Sequence, residues 1–256
     1  MSVGKYFDHK ASASINPQTD GCLLKDWRTQ YGKVPFATHP SGFLIFLSPD
    51  ELEDCDEFRN SDPYTFKSED LSEFTSRRID GTLTLIKDAV TRIGRPSLRL
   101  LDVGSGQGHI TALIKELLPD AEISALDYSL SGVEYATKHY PGIDFIVASA
   151  YECPYVNEYF DIVVLNNIWE HVTDPLRMLS GVDKVLKRDG YIVISTPSRY
   201  HIQNLINILR GKPVKLISKY HITEYTVGQV IEQFRFGGYE VEKIYSKPIK
   251  EWEPKS

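Results

Sequence analysis

The sequence predicts an α/β fold in which a doubly wound, mostly parallel sheet carries helices on both faces. Two observations support this fold. Between residues 98 and 196, short apolar runs alternate with stretches whose apolar residues recur at helical spacing. The first run is followed by three glycines within residues 104–108 and then by an amphipathic helical pattern. Since parallel strands are joined by right-handed helical crossovers, this alternation predicts five parallel strands.

The length and composition are those of a globular chain with a sizeable core. Its 256 residues carry a net charge of −6, which disfavours a broad basic surface and therefore nucleic acid as a partner. No apolar run is long enough to cross a bilayer, and the first ten residues lack a secretion-type apolar segment. We therefore expect a cytoplasmic protein without a membrane span, whose oligomeric state the composition leaves open. Cys22, Cys55 and Cys153 lie far apart, so no disulfide and no metal site is predicted.

Residues 1–70 are predicted to form an N-terminal extension of unknown role to a domain spanning residues 71–256. Within the extension, the apolar run 42–47 is predicted to be a strand. The six acids of residues 50–57 are interpreted as a solvated helix start or loop. Apolar residues at helical spacing over residues 69–93 predict a helix ahead of the first parallel strand.

The first parallel strand leads into the glycine turn. The run Leu98–Val103 is apolar except at Arg99 and Asp102, which is typical of a strand buried on both faces. A turn of this kind brings bare backbone and a helix N-terminus against a ligand. The dinucleotide-binding fingerprint would need a glycine where His109 stands, which disfavours an NAD-dependent oxidoreductase.

The second strand, within residues 121–129, ends in Asp127, about twenty residues beyond the glycines. A carboxylate at this strand end can accept two hydrogen bonds from vicinal ribose hydroxyls. The alternative is an N-cap role, for which Ser129 competes. Tyr128 can pack on an adenine ring. Ser131 and Glu134 fit a capping box for the next helix.

Three further parallel strands are predicted, at residues 143–148, 160–165 and 191–196. Asn166 follows the fourth strand, at the edge where open parallel sheets bind ligands. Asp174 and Pro175 then predict the start of a helix that continues to Lys187 and Arg188 and stops at Gly190.

The pattern breaks after the fifth strand. Residues 197–225 are interpreted as an insertion with a short helix at 202–209. A capping box formed by Thr226 and Gln229 predicts a helix that ends near Gly237. A sixth strand is predicted at residues 239–245, and with eleven residues after it the sequence leaves open whether a seventh strand forms.

The strings LDVGSGQG, LDYS, FDIVVLNN and WEHV follow one another in this order. Their combination is similar to the class I S-adenosylmethionine-dependent methyltransferases, and especially to small-molecule O-methyltransferases. The resemblance covers about residues 74 to 245. It implies a Rossmann-like domain, S-adenosyl-L-methionine as cofactor, and a substrate-covering lid at residues 197–225.

The resemblance also implies a cofactor site at the carboxyl edge of the sheet. Its expected members are Asp102, Gly104, Ser105, Gly106, Gly108, Asp127, Tyr128, Ser149, Ala150, Tyr151 and Asn166. The family commonly has an acid where Ser149 stands, so the adenine contact is expected to be weaker, with Glu152 as a further candidate. Arg77 or Arg78 can reach the cofactor carboxylate, with solvent exposure as the alternative.

Methyl transfer requires a nucleophile about 3 Å from the methyl group, in line with the leaving sulfur. A base assists when the nucleophile is a hydroxyl, and His171 is the first candidate because it follows the fourth strand. Packing or capping of the next helix is its alternative role. His201 and His221 in the insertion are the second candidates.

We therefore expect a methyltransferase that acts on a small hydroxylated acceptor, such as a natural product, quinone, sugar or lipid precursor. One alternative is a cofactor-binding regulatory subunit without catalysis. Another is a methyltransferase acting on protein or nucleic acid, which the basic residues within 210–219 support.

Overall fold

The computed structural model describes residues 13–14, 31, 35–54 and 73–245. These residues form eight strands of a single sheet, in the order β1-β2-β3-β6-β5-β4-β7-β8. In chain order the strands are β1 Ala13–Ser14, β2 Pro35–Thr38, β3 Leu44–Ile45, β4 Arg99–Val103, β5 Glu122–Asp127, β6 Asp144–Val147, β7 Phe160–Asn166 and β8 Leu186–Ser195. The helices are α1 Pro49–Asp54, α2 Glu73–Ile93, α3 His109–Leu117, α4 Leu130–His139, α5 Pro175–Val185, α6 Ile202–Leu209 and α7 Val227–Phe236.

The predicted doubly wound, Rossmann-like sheet is confirmed. The six strands from β3 to β8 are parallel to one another, whereas the β1–β2 and β2–β3 pairs are antiparallel. From β4 the chain winds through β5 and β6 to one side, and then through β7 and β8 to the other. The carboxyl ends of β4 and β7 therefore form the switch point, where open α/β sheets bind ligands.

Helices cover both faces of the sheet because successive strand residues point to opposite sides. On one face, Ile86 of α2 and Ile114 of α3 pack with Leu100 of β4. On the other face, Val182 of α5 packs with Leu101 of the same strand. Strand β7, between β4 and β8, is buried along its whole length. Packing on both faces therefore positions the carboxyl ends of these strands.

The N-terminal part of the chain extends the sheet. The strand predicted at residues 42–47 is present as β3, which pairs with Ile146 and Val147 of β6. Tyr31 is fully buried, stacks on the Tyr155 ring and donates a hydrogen bond to Asp144 Oδ2 at 2.6 Å. The first acids of the predicted acidic stretch lie in α1, and its last residues lie outside the described part.

Two predicted helix boundaries are wrong. Ser131 and Glu134 do not cap α4, because the Ser129 hydroxyl accepts the backbone N–H of Gly132 and is the N-cap. Helix α5 ends at Val185 rather than near Lys187. Its sequence continues directly into β8, since Leu186 pairs with Phe160.

The predicted sixth strand is also wrong: residues 239–245 have no strand structure. Their polar side chains contact helices instead. Tyr239 donates to Asp183 of α5, while Glu242 and Lys243 form ion pairs with Arg92 and Asp88 of α2. This segment thus runs across the helices instead of pairing with β8, and an open cavity of about 1220 Å³ lies between it and that strand. None of the helices in the described ranges is long and apolar enough to span a membrane.

Candidate active site at the carboxyl edge of the sheet

The glycine turn between β4 and α3 needs glycine at two positions. Gly104 and Gly108 have φ angles of +80° and +78°, in the left-handed region that side chains disfavour. A Cβ on Gly104 would lie 2.8 Å from the side chain of Ile168, and one on Gly108 would lie 2.8 Å from Phe145. The turn is therefore held against β6 and the loop after β7, and its backbone lines the switch point.

Asp127, at the end of β5, is buried and bonded to the turn. Its Oδ2 accepts the backbone N–H of Gly106 at 2.7 Å, and its Oδ1 accepts that of Ser129, also at 2.7 Å. Burial raises the pKa of Asp127, and these backbone hydrogen bonds oppose that rise. A carboxylate offers about four lone-pair sites, so both oxygens keep acceptor capacity for a ligand hydroxyl.

Asp102, the acid of β4, is paired with a residue that the sequence analysis missed. The Thr111 hydroxyl in the first turn of α3 donates to Asp102 Oδ2 at 2.6 Å. Burial raises the pKa of Asp102 to about 6, while the Thr111 hydrogen bond opposes the rise and the charge of Asp127 adds to it. A polar residue on the otherwise apolar stripe of α3 was the available signal.

Two residues on the predicted adenine side of the site, Ser149 and Tyr151, form hydrogen bonds with backbone N–H groups of the protein. Ser149 Oγ accepts the backbone N–H of Tyr151 at 3.2 Å. The Tyr151 hydroxyl accepts the backbone N–H groups of Thr173 and Asp174, at the start of α5. Tyr128 is 38% exposed, and its hydroxyl lies 3.5 Å from the Glu51 carbonyl.

Three other predicted cofactor contacts lie in the same region of the fold. Asn166 ends β7, and its Oδ1 lies 3.4 Å from the Thr82 hydroxyl of α2. Ser105 Oγ is buried without a hydrogen-bond partner among the described residues. The Ala150 carbonyl accepts the Cys153 thiol at 3.8 Å.

A histidine pair forms between the loop after β7, which contains His171, and the insertion, which contains His221. The rings of His171 and His221 are nearly perpendicular, with centroids 4.9 Å apart. His171 Nδ1 donates to the Tyr220 carbonyl at 3.1 Å, and His221 Nδ1 lies 2.7 Å from Glu224 Oε1. The structure thus brings together two of the three predicted catalytic histidines.

The insertion is fastened to the sheet at Glu170. The backbone N–H of Ile222 donates to the Glu170 carbonyl at 2.9 Å. The third candidate, His201, is the N-cap residue of α6, and its Nε2 is buried without a partner among the described residues. No contact joins it to the histidine pair in the part of the chain that the structure describes.

The charges around the pair are coupled. Burial lowers the pKa of His171, and the charge of His221 lowers it further, whereas Asp127 raises it. Burial raises the pKa of Glu170, and a hydrogen bond from Thr196 and the charge of Arg78 are among the effects that oppose the rise. Arg78 is thus the candidate arginine found near the site; the Arg77 side chain lies outside the described part.

One edge of the sheet brings together three features. They are the glycine turn after β4, the buried Asp127 at the end of β5 and the imidazole of His171 after β7. A family model described as a methyltransferase domain matches residues 95–238, more than half of the chain. The chain belongs to this methyltransferase family. The predicted class, a class I S-adenosylmethionine-dependent methyltransferase, is confirmed, and S-adenosylmethionine is the cofactor of that class.

Named relatives agree with this family. The chain is 33% identical over 96 residues to a demethylmenaquinone methyltransferase of Thermotoga maritima. This match covers 38% of the chain and 42% of the relative. The chain is 27% identical over 143 residues to a probable S-adenosylmethionine-dependent methyltransferase of Mycolicibacterium smegmatis, covering 56% of this chain and 52% of the relative. The chain thus spans about half, or less, of the length of these relatives.

A solved structure agrees on the fold. The plantazolicin methyltransferase, crystallised with a triazolic desmethyl analogue and SAH, has a TM-score of 0.56 to this chain. The match covers 73% of this chain and 74% of that one at 18% identity, and therefore supports the fold alone.

Proposed function

We propose that this methyltransferase transfers the methyl group of S-adenosylmethionine to a hydroxyl oxygen of a small-molecule acceptor. The observation that carries the proposal is the position of His171, which follows β7 at the switch point, packs against His221 of the insertion and has a pKa that burial lowers and the charge of Asp127 raises. Asp127 itself is bonded to the glycine turn. The groups that would hold the cofactor and those that would activate an acceptor are therefore adjacent.

In this proposal the cofactor lies over the turn between β4 and α3. The ribose hydroxyls would bind the remaining lone pairs of Asp127, and the adenine would lie toward Tyr128 and Ser149. Arg78 is half-buried, and its Nε has no hydrogen-bond partner among the described residues, so it can bind the cofactor carboxylate. The turn itself contributes backbone N–H groups and space.

The chemistry asks little of the protein. The acceptor oxygen forms a bond to the methyl carbon, and the carbon–sulfur bond breaks with its electrons going to sulfur, which leaves S-adenosylhomocysteine. The acceptor hydroxyl loses its proton. An imidazole beside the acceptor favours loss of that proton, as a base or as the ligand of a cation that polarises the hydroxyl. The insertion that covers Glu170 would exclude water from the reacting atoms.

The surface of the insertion favours an acceptor with an apolar part. Helix α6 exposes several large apolar side chains, including Ile202 at 64% and Leu209 at 87% exposure. Groups of exposed apolar side chains are typical of interaction and ligand surfaces, and in this proposal α6 belongs to the insertion that covers the acceptor. A quinone or lipid precursor fits this surface better than a sugar does, and the similarity to a demethylmenaquinone methyltransferase supports the same choice.

The test is methylation with a deuterated-methyl cofactor, using a panel of phenols, hydroxyquinones and hydroxylated lipids as acceptors. Mass spectrometry of the products would locate the label. We expect the deuterated methyl group on the oxygen of an apolar hydroxylated acceptor. We expect turnover to be lost in His171→Ala but kept in the exposed control His139→Ala. A label found on ring carbon or on nitrogen would overturn the assignment of oxygen.

A further inference from the structure

We propose that Glu170, His171 and His221 form a binding site for a divalent transition-metal ion. One ligand atom from each of these residues lies within 4.8 Å of the others. Two residues follow β7, and the third lies in the insertion, about fifty residues later. The fold, rather than local sequence, therefore assembles the group.

The hydrogen bonds of both histidines leave their Nε2 atoms available to a metal. The Tyr220 carbonyl can only accept, so His171 must carry its proton on Nδ1. His221 Nδ1 faces the buried carboxylate of Glu224 at 2.7 Å, which fixes its proton on Nδ1 in the same way. Metal-bound histidines almost always donate their other N–H to a carbonyl or carboxylate. Both types of partner are present here.

Glu170 supplies the third ligand. The residue is fully buried, and its Oε2 accepts the Thr196 hydroxyl at 3.0 Å. Its Oε1 is buried without a hydrogen-bond partner among the described residues. A buried carboxylate oxygen without a partner is costly, and a cation would satisfy it. This atom is the independent observation that points to a bound ion.

The donor set selects the class of metal. Two imidazole nitrogens and one carboxylate suit Zn²⁺, Mn²⁺, Fe²⁺ or Co²⁺, whereas Ca²⁺ and Mg²⁺ prefer oxygen alone. Three protein ligands leave at least one coordination position open, which is typical of catalytic rather than structural metal sites. The scattered cysteines predicted no metal site, and ligands that lie fifty residues apart, as His171 and His221 do, have no local sequence signature.

The role of the metal rests on the proposed function, whereas its binding does not. At an open position, the ion would bind the acceptor hydroxyl and lower its pKa, so that the hydroxyl releases its proton to solvent as the acceptor binds and the oxygen then attacks the methyl group. His171 would then act as a metal ligand rather than as a base. The ion would also join the insertion to the sheet, because His221 and Glu224 both belong to the insertion.

The test uses the full chain, purified without a histidine tag and stripped with a chelator. Co²⁺ titration, followed by visible absorption, is expected to saturate at one ion per chain, and Zn²⁺ is expected to displace it. Glu170→Gln and His221→Gln are expected to weaken Co²⁺ binding at least about 100-fold, and Glu224→Gln about 10- to 100-fold. His139→Gln, on the exposed end of α4, is the matched control and is expected to bind like the wild type.

Folding of each variant is checked by S-adenosylhomocysteine binding and by the melting temperature. A rise in the wild-type melting temperature with Co²⁺, reversed by chelator, would support the site even where a variant fails to fold. Wild-type protein that binds S-adenosylhomocysteine but no metal would overturn this inference and leave the proposed function standing. Metal binding without methylation of any acceptor would support the metal site and overturn the proposed function.

Discussion

Asp127 Oδ2 accepts the backbone N–H of Gly106 at 2.7 Å, and this bond joins the end of β5 to the glycine turn of β4. The same carboxylate also holds the N–H of Ser129, the N-cap residue of α4. One side chain thus orients the turn, a helix start and the expected ribose position.

Replacing this carboxylate is expected to weaken cofactor binding strongly. Asp127→Ala leaves two backbone N–H groups without acceptors, and we expect the affinity for S-adenosylhomocysteine to fall at least about 100-fold. Isothermal titration calorimetry measures the loss, and the exposed Asp120→Ala is the control. Wild-type affinity in Asp127→Ala would contradict the proposed cofactor position.

Two glycine substitutions separate backbone strain from steric conflict. Gly108 and Gly142 both have positive φ, but only a Cβ on Gly108 meets neighbours, with Phe145 at 2.8 Å. We expect Gly142→Ala to lower the free energy of unfolding by about 1 kcal/mol and Gly108→Ala to lower it by about 3 kcal/mol. Chemical denaturation measures both, and equal losses would contradict the close packing of the turn.

The raised pKa of Asp102 predicts a pH-dependent effect on stability. A carboxyl with a pKa of about 6 in the folded chain and 3.8 as its ordinary value binds more protons when folded. Its ionisation therefore destabilises the fold as the pH rises from about 4 to 6, by roughly 3 kcal/mol in full. Asp102→Asn removes this penalty and keeps an acceptor for the Thr111 hydroxyl.

We expect the melting temperature of Asp102→Asn, relative to the wild type, to increase between pH 4 and pH 7. Differential scanning calorimetry across this pH range measures the change. Asp120→Asn, at an exposed position, controls for the substitution itself. A difference that stays constant with pH would argue against a raised pKa.

Tyr151 was expected to bind the cofactor, and its hydrogen bonds indicate a structural role for the hydroxyl. Because that hydroxyl accepts two N–H groups at the start of α5, Tyr151→Phe is expected to lower the free energy of unfolding by about 1 kcal/mol. The affinity for S-adenosylhomocysteine is expected to change less than about twofold, since the ring is kept. Tyr200→Phe, at an exposed position, is the control. A large loss of affinity with unchanged stability would place the hydroxyl against the cofactor.

The sequence predicted the five parallel strands because their apolar runs, glycines and capping residues act locally. It could not predict the partner of β3, because that pairing joins residues distant along the chain. The prediction of a strand at residues 239–245 was wrong for a related reason, since the contacts of this segment also involve residues distant along the chain. Its alternating pattern is compatible with a strand, but Glu242 and Lys243 form ion pairs with α2 instead.

The sequence predicted individual residues of the site, but it could not predict how they contact one another. His171 and His221 were each candidates on position alone, yet their contact depends on how the insertion folds back onto Glu170. Thr111 was missed because a single threonine within an apolar stripe resembles an ordinary helix residue. Glu224 was missed because its role becomes visible only beside the half-buried His221 ring.

The pairing of Leu44 with Ile146 has a consequence for the order of folding. The segment that contains β3 leaves the ribosome about a hundred residues before its parallel partner β6 exists, so until then β3 can pair only with β2. Closing such a long loop is entropically unfavourable until β4, β5 and β6 provide a template. β3 is therefore expected to join late, and a chain lacking it would leave the edge of β6 open to pairing with other copies.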